Sequence, residues 1–398
     1  MKAKSLVVAS VFLILCALLF SNVRATVVTG TISVQEDPYG MAYDTAMNEI
    51  FVVNTNAGTV SVISDSNNTV VATIPLGNPV PIGVAYWIVY DSGKGELFVS
   101  LSFAGNGKVI VISDKSNTVV GEITVGGEPE DLAYDSAKEE IFVANALSNE
   151  VSIISDKTDT VTATVALPFG TSALTYDSGR GEIFATNIPP KNMSNPNASS
   201  NTVSVISDSS NQAVTKITVG SSPQGLAYDQ GKNEVFVTNQ GSQTVSVISD
   251  KNNQVVKTIP VNGYPFPIAY DSSAGEILVT SVNGTGLIDP NSVVGAFSVI
   301  SDNSNTVISS IKLGGSGSGG SSIVFDSARD EAFVSNSFLG TVTVLSDISI
   351  SSASASPTVP ELSSLAIISV MVLVGIIAVT FERLKSANKH SASVFETR

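Results

Sequence analysis

The chain is short of the residues that carry most enzyme chemistry: 398 residues hold one cysteine and one histidine. Cys16 lies in an apolar N-terminal run and His390 close to the C-terminus. The long middle of the chain has no disulfide to staple it, no His-dependent triad, and no His or Cys to hold zinc, copper or haem. Charged residues make up only 14%, with 20 Lys and Arg against 35 Asp and Glu, a net charge of −15. That balance argues against nucleic acid, whose phosphates need Lys and Arg. Aromatics are 7%, with one Trp, yet hydrophobic residues reach 43%. A large core is therefore available and global disorder is excluded. Length alone allows about two or three domains of ordinary size.

The two ends read as export and anchoring. Met1-Lys-Ala-Lys4 leads into an apolar run from Leu6 to Phe20, then Ser21-Asn-Val-Arg-Ala25. Residues 1–25 match a secretory signal peptide cut after Ala25, with Val23 and Ala25 at the −3 and −1 sites. Leu15 stands where a lipoprotein signal needs a small residue, so Cys16 is not read as lipidated. A second run, Leu362 to Phe381, is 20 residues without charge. At about 1.5 Å per residue it just crosses a hydrocarbon core, and its unbroken pattern reads as a transmembrane helix rather than an amphipathic core helix. Arg383, Lys385 and Lys389 place the tail 382–398 in the cytoplasm. Residues 349–361, rich in Ser and Pro, form a flexible linker. The chain is thus expected at the cell surface, crossing the membrane once. Residues 26–361 carry 13 basic and 33 acidic residues, net −20, which suits solubility outside a cell and attraction to cations.

Self-similarity dominates 26–348. A Tyr-Asp pair ends at Asp44, Asp91, Asp135, Asp177, Asp229 and Asp271, with Phe325-Asp326 as the last copy. Five residues after each comes Glu49, Glu96, Glu140, Glu182, Glu234, Glu276 or Glu331, opening an apolar stretch. Then comes Val-Ser-Val-Ile-Ser-Asp or a variant, ending at Asp65, Asp114, Asp156, Asp208, Asp250, Asp302 and Asp347. A fourth β-rich segment such as Thr69-Val-Val-Ala-Thr-Ile-Pro75 follows. Four short strands with turn residues between them, repeating every 42–55 residues or so, predict an all-β, seven-bladed β-propeller with four-stranded blades. The seventh copy stops at Asp347 without its fourth strand, and Thr26-Val-Val-Thr-Gly-Thr-Ile-Ser-Val34 aligns with that missing segment. The N-terminal strand is therefore expected to close the ring as the outer strand of blade seven.

The segments Phe236-Val-Thr-Asn239, Thr244-Val-Ser-Val-Ile-Ser-Asp250 and Lys216-Ile-Thr-Val-Gly220 resemble the YVTN-type β-propeller repeat family, which includes YncE-like proteins and archaeal surface-layer proteins. The resemblance spans 26–348 and implies the propeller fold; it does not imply one activity, because propellers host many. Val359-Pro-Glu-Leu362 is similar to C-terminal sorting signals of archaeal surface proteins, but the 17-residue tail points to a retained anchor.

Residues present in every copy serve the blade. The Asp…Glu pair brackets a hairpin turn, where Asp accepts bonds from turn amides and Arg180 is placed to neutralise Asp177 locally. The Asn ending strand B (Asn54, Asn145, Asn187, Asn239, Asn336) is read as closing a turn. Loop lengths are more informative. The A–B and C–D turns are constant, while all insertions fall in the B–C and D–A connections, on the other face of the disc. That face is the expected binding surface. Trp87 on it would contact a sugar or protein, or else wedge between blades. Glu36, Asp37, Glu128, Glu130 and Asp131 give it an acidic rim that could take Ca²⁺ or simply be solvated, and Tyr264 is a further candidate contact. No spacing matches a specific calcium loop. Sequons at Asn67, Asn192, Asn197 and Asn283 offer glycosylation in place of binding on the longest insertions.

With no catalytic constellation, the expected function is a membrane-anchored, non-enzymatic recognition, adhesion or surface-layer module. Its partner would be a cell-envelope protein or glycan, with no required cofactor. The alternative is a lactonase-like hydrolase using carboxylates and a divalent cation.

Overall fold

The structure is a computed structural model that describes residues 23–77, 83–103, 106–188, 200–283, 294–314 and 320–350. Contacts set Arg24–Ile348 apart as one unit from the two ends of the chain. Most of the signal segment, the linker after residue 350, the apolar run 362–381 and the tail lie outside the described residues. Among the described residues no helix is long and apolar enough to cross a membrane.

The described strands form seven four-stranded antiparallel sheets. This is a seven-bladed β-propeller. Blade one shows the pattern: strand A is Pro38–Asp44, B Glu49–Asn54, C Thr59–Ser64 and D Thr69–Pro75. Blades two to six repeat it in chain order. In blade seven, A, B and C are Gly320–Asp326, Glu331–Asn336 and Thr341–Ile350, and the sheet continues with Val23–Ser33.

Burial falls from the middle strands outward. Strand B of blade one is buried from Ile50 to Asn54, whereas strand D is mostly exposed, with only Ile74 buried. β-Branched residues fill both faces of B because each blade is covered on both sides by its neighbours. The core is accordingly divided. Seven apolar clusters each span two adjacent blades, as where Phe51 and Val53 meet Leu97 and Val99, or Met41 and Ile50 meet Phe333 and Val344.

Polar latches on the turn face add direction to this packing. The Tyr-Asp aspartates are buried, and in each blade one oxygen accepts the N–H groups two and three residues on, as Asp177 does from Gly179 and Arg180 at 2.8 and 3.2 Å. The fourth residue after each Asp adopts a left-handed backbone in all seven blades: Asn48, Gly95, Glu139, Gly181, Asn233, Gly275 and Asp330. Asn and Gly suit that conformation; the others are held in it by the hairpin.

Each blade then reaches its neighbour. The Tyr phenol of one blade stands against the aspartate of the blade before: Tyr90 on Asp44, Tyr134 on Asp91, Tyr176 on Asp135, Tyr228 on Asp177, Tyr270 on Asp229 and Tyr43 on Asp326. The phenol oxygen lies directly over the turn, so a Cβ on Gly93 would meet that of Tyr134 at 2.7 Å. Basic side chains in the A–B turns bind the C–D turn of the next blade: Lys94 to Asp156 O at 2.9 Å, Arg180 to Asp250 O at 2.8 Å, and Lys138 to Asp208 O. Arg180 therefore does not neutralise Asp177 as expected. Amides and the Tyr228 phenol already surround that carboxylate, and the guanidinium extends outward to the neighbour and to Glu182. The Asn at the end of strand B ties B to C as well as bordering the turn, with Asn54 Nδ2 donating to Ser61 Oγ at 2.9 Å.

One seam departs from the pattern. Between blades six and seven the phenol is replaced by Phe325 and the basic residue by Ala274. A cavity of about 20 Å³ remains there beside Phe325, Asp271 and Asp347. Tyr134→Phe is expected to lose about 0.5–1.5 kcal/mol, the typical worth of one hydrogen bond. Phe325→Tyr is expected to be neutral or stabilising, because the cavity can accept a hydroxyl. Thermal melting of the two variants checks both; a loss above about 1 kcal/mol for Phe325→Tyr would show that the seam is closed to a polar atom.

Candidate functional site

The inner strands converge on the ring axis, and six of them share one irregularity. The A–B ladder breaks between Pro38 and Met41, Ala85 and Ile88, Pro129 and Leu132, Pro223 and Leu226, Pro265 and Ile268, and Gly320 and Ile323. Two residues in each strand A thus leave the ladder. A β-bulge re-aims side chains in this way. In chain order these pairs are Tyr39-Gly40, Tyr86-Trp87, Glu130-Asp131, Gln224-Gly225, Phe266-Pro267 and Ser321-Ser322, and Ser172-Ala173 precede the short strand A of blade four.

Hydroxyls on strand B hold the freed backbone. Ser100 Oγ accepts Trp87 N–H at 3.1 Å, and Thr238 Oγ1 accepts Gly225 N–H at 2.8 Å and donates to Phe266 O of the next blade at 2.8 Å. Ser335 Oγ donates to Tyr39 O at 2.7 Å. Blade three has Ala144 at this position, and Asp131 takes over: its carboxylate accepts Leu132 N–H at 2.8 Å and Leu174 N–H of blade four at 2.9 Å. Gly40 permits the close approach of neighbouring bulges, since a Cβ there would lie 2.5 Å from Tyr86 O.

The bulges enclose a cavity of about 530 Å³ on the insertion face, within the range that admits a drug-sized molecule. Its walls differ. Blades one, two and six supply Tyr39, Tyr86, Trp87 and Phe266. Tyr39 is the hub, with ring centroids 5.9 Å from Tyr86, 5.5 Å from Trp87 and 6.5 Å from Phe266, each edge-on. Blades four and five supply Ser172, Asn187, Ser200, Ser222, Gln224 and Gln240. Blade three supplies Glu130 and Asp131. Among the described residues that line it, no side chain is basic.

Burial is the first influence on the titratable groups of this cavity, and nearby acids add to it. Burial pushes the Tyr39 phenol up, and Glu130, Tyr86 and Asp37 add to the shift. Burial likewise raises Tyr86, reinforced by Glu130, Glu128 and Asp37. Asp131 lies deep in the ring but faces the cavity, and burial pushes its carboxyl up to about 7 against the two amide bonds that lower it.

Of the residues singled out in the sequence, Trp87, Glu130 and Asp131 line the cavity. Trp87 is half-buried, lines the cavity and packs against the cluster between blades two and three. Asp37 and Glu128 are left-handed corner residues before Pro38 and Pro129, near enough to the phenols to influence them. Glu36 is exposed, and Tyr264 is 43% exposed outside the lining. Asn283 is exposed at the end of a strand B. Asn67 lies in a C–D turn on the opposite face, its Oδ1 accepting Thr69 N–H and Oγ1–H. Asn192 and Asn197 lie outside the described residues. Among the described residues no group of three or more His, Cys, Asp or Glu could hold a metal ion. Tyr39, Tyr86, Gln224 and Phe266 were not anticipated. Their signal is variability: the fifth and fourth residues before each Tyr-Asp aspartate differ from copy to copy in an otherwise conserved-looking Leu-Ala-Tyr-Asp frame.

No family model matches the chain, and no curated protein does. Among solved structures it is similar to hydrazine synthase from Kuenenia stuttgartiensis, with a TM-score of 0.63 and 13% identity over 78% of this chain and 95% of that one. Likeness at that identity shows the fold alone.

Asp131 carries a pH dependence. A carboxyl whose folded pKa lies above its unfolded value holds its proton better in the fold. Its contribution is fully present below the ordinary value of 3.8 and is lost as pH rises through about 7. Asp156, raised by burial and by Asp91 to about 6, acts in the same direction. The melting temperature is expected to fall between about pH 4 and pH 7.5, and less steeply in Asp131→Asn. Equal slopes in the two proteins would assign the titration elsewhere.

Proposed function

We propose that this chain is an exported, membrane-anchored propeller that recognises a component of the cell envelope, a glycan or a protein, and takes it into the central cavity without chemical turnover. The observation that carries this reading is the convergence of variable bulge residues on one cavity. An aromatic wall faces a wall of hydroxyl and amide side chains, an arrangement that binds and orients a ligand. The apolar runs 6–20 and 362–381 support export and anchoring, and the resemblance to YVTN-type repeats, with their surface-layer members, supports a place at the cell surface.

The single tryptophan makes the reading testable, because Trp87 lines the cavity. Solubilised envelope fractions are expected to change Trp87 fluorescence saturably. Gln224→Ala should weaken binding by about tenfold, the loss of one well-made hydrogen bond, without changing the melting temperature. Binding that is untouched by Gln224→Ala and silent to Trp87 would place recognition outside the cavity.

The strand Val23–Ser33 is also proposed to close the ring. Three features support this: Thr29 Oγ1 donates to Val344 O at 3.3 Å, Val34 N–H donates to Gly340 O at 3.0 Å, and Ile32 packs into the cluster between blades seven and one. Deleting residues 26–34 is expected to unfold or oligomerise the protein, since it uncovers the strand Thr341–Ile350 as an open edge. An unchanged melting temperature would show that the ring does not depend on this strand.

A further inference from the structure

We infer that the cavity takes an uncharged sugar ring, the end of a neutral glycan, in preference to a peptide or a charged molecule. This rests on the cavity being the recognition site and names the class of ligand it takes. Blade five carries the first observation. Ser222, Gln224 and Gln240 line the cavity from this blade, all half-buried. Their backbone is fixed: Gln240 N–H donates to Ser222 O at 2.8 Å, and Gly225 N–H, next to Gln224, donates to Thr238 Oγ1 at 2.8 Å. Among the described residues no hydrogen bond occupies the Ser222 hydroxyl or the two side-chain amides. A primary amide presents a donor and an acceptor side by side, so it meets two adjacent hydroxyls with both. A fixed blade that offers two such amides and a hydroxyl is preorganised for a polyol.

The opposite wall is the second observation. The blades touch one another in chain order, and seven in a ring set blade five across from the seam of blades one and two. That seam supplies Tyr39, Tyr86 and Trp87, with Phe266 added from blade six. Tyr39 meets the other three rings edge-on, at 72°, 80° and 66°. A sugar ring has the same two-sided character: C–H groups on a face, which pack on aromatic rings, and hydroxyls around its edge. Charge decides against the competitors. Both Asp131 oxygens accept amides, Glu130 has interactions of its own, and no Lys or Arg stands among the described lining residues. A charged group brought into this space loses hydration and finds no spare counter-charge among those residues. A peptide offered end-on brings an ammonium or a carboxylate; the end of a neutral glycan brings neither.

The test uses the full chain in a polyoxyethylene detergent, which carries no sugar, and envelope fractions treated in two ways. Periodate cleaves the vicinal diols of glycans, and proteinase K digests proteins; each is quenched before mixing. Trp87 fluorescence and calorimetry report binding. Binding is expected to survive proteinase K, to be lost after periodate, and to stay with the released glycans that pass both an anion and a cation exchanger. Gln224→Ala and Gln240→Ala should each weaken binding of those neutral glycans by about tenfold, the loss of one well-made hydrogen bond, with melting temperature as the control for folding. Binding that proteinase K abolishes and periodate spares, or that follows glycans held on an exchanger, overturns the neutral-sugar class; the recognition reading stands if Gln224→Ala still weakens it. If the fractions do not bind, or bind regardless of both glutamine variants, the cavity reading fails and the sugar class fails with it.

Discussion

Seven buried carboxylates, one at the end of each innermost strand, set the geometry from which the rest of the ring follows. A carboxylate taken out of water must be met by donors, and the tight A–B turn supplies two backbone N–H groups to one oxygen of each. That pairing fixes the turn, and the turn fixes where strand B begins, since a slip of one residue would reverse its faces. In six of the seven, the phenol of the next blade stands against the carboxylate. The same acid therefore orders its own hairpin and orients its neighbour. With no cysteine in the ring, and with apolar contacts that are non-directional, such latches supply the angular register that seven similar interfaces need to close on a circle.

The exception at the sixth seam shows what the latches require. The basic residue of an A–B turn binds the C–D turn of the blade ahead. In blade seven, strand C runs on as Thr341–Ile350 through the position where the other blades make that turn. Ala274 stands in place of the base, Phe325 replaces the phenol, and Ser273 Oγ instead donates to Asp330 Oδ1 at 2.8 Å. On the other side of blade seven, Arg329 resumes the pattern by reaching Ser66 O of blade one at 3.5 Å. Nothing in the structure explains Met47, which holds the equivalent place in blade one.

Seven copies with constant A–B and C–D turns were legible in the sequence because each position is constrained by contacts within one blade or with the next, and the same contact recurs seven times. The strand alternation, the turn residues and the face bearing insertions all follow from that local repetition. The cavity was only partly legible. Trp87 stood out as the single Trp of an elaborated connection, and Glu130 and Asp131 as acids before blade three. Tyr39 and Phe266 did not, because an aromatic two residues into a strand reads as ordinary core. What moves them to the axis is the ladder break after Pro38 and Pro265, and a bulge is a matter of which hydrogen bonds are skipped. That choice depends on hydroxyls such as Ser335 and Thr238 on other strands, which no single segment reveals. Arg180 was misread for a similar reason: its partner is close in space but lies in another copy of the repeat.

The two faces of the disc consequently use acids in opposite ways. On the turn face, aspartates are answered by amides, phenols and basic side chains, and each interaction is duplicated around the ring, so a change at one position works against many neighbours. On the cavity face, the bulge side chains differ from blade to blade, and the backbone beneath several of them is held by strand B hydroxyls, while Asp131 holds its own bulge through two amides. Tyr39, Glu130, Gln224 and Phe266 can differ because the bulge beneath them does not depend on what they are. Glu130 and Asp131 face a space lined, among the described residues, by no base. A fold that repeats the same contacts around one face, and sets varied bulge side chains around a cavity on the other, places its differences where a ligand can meet them.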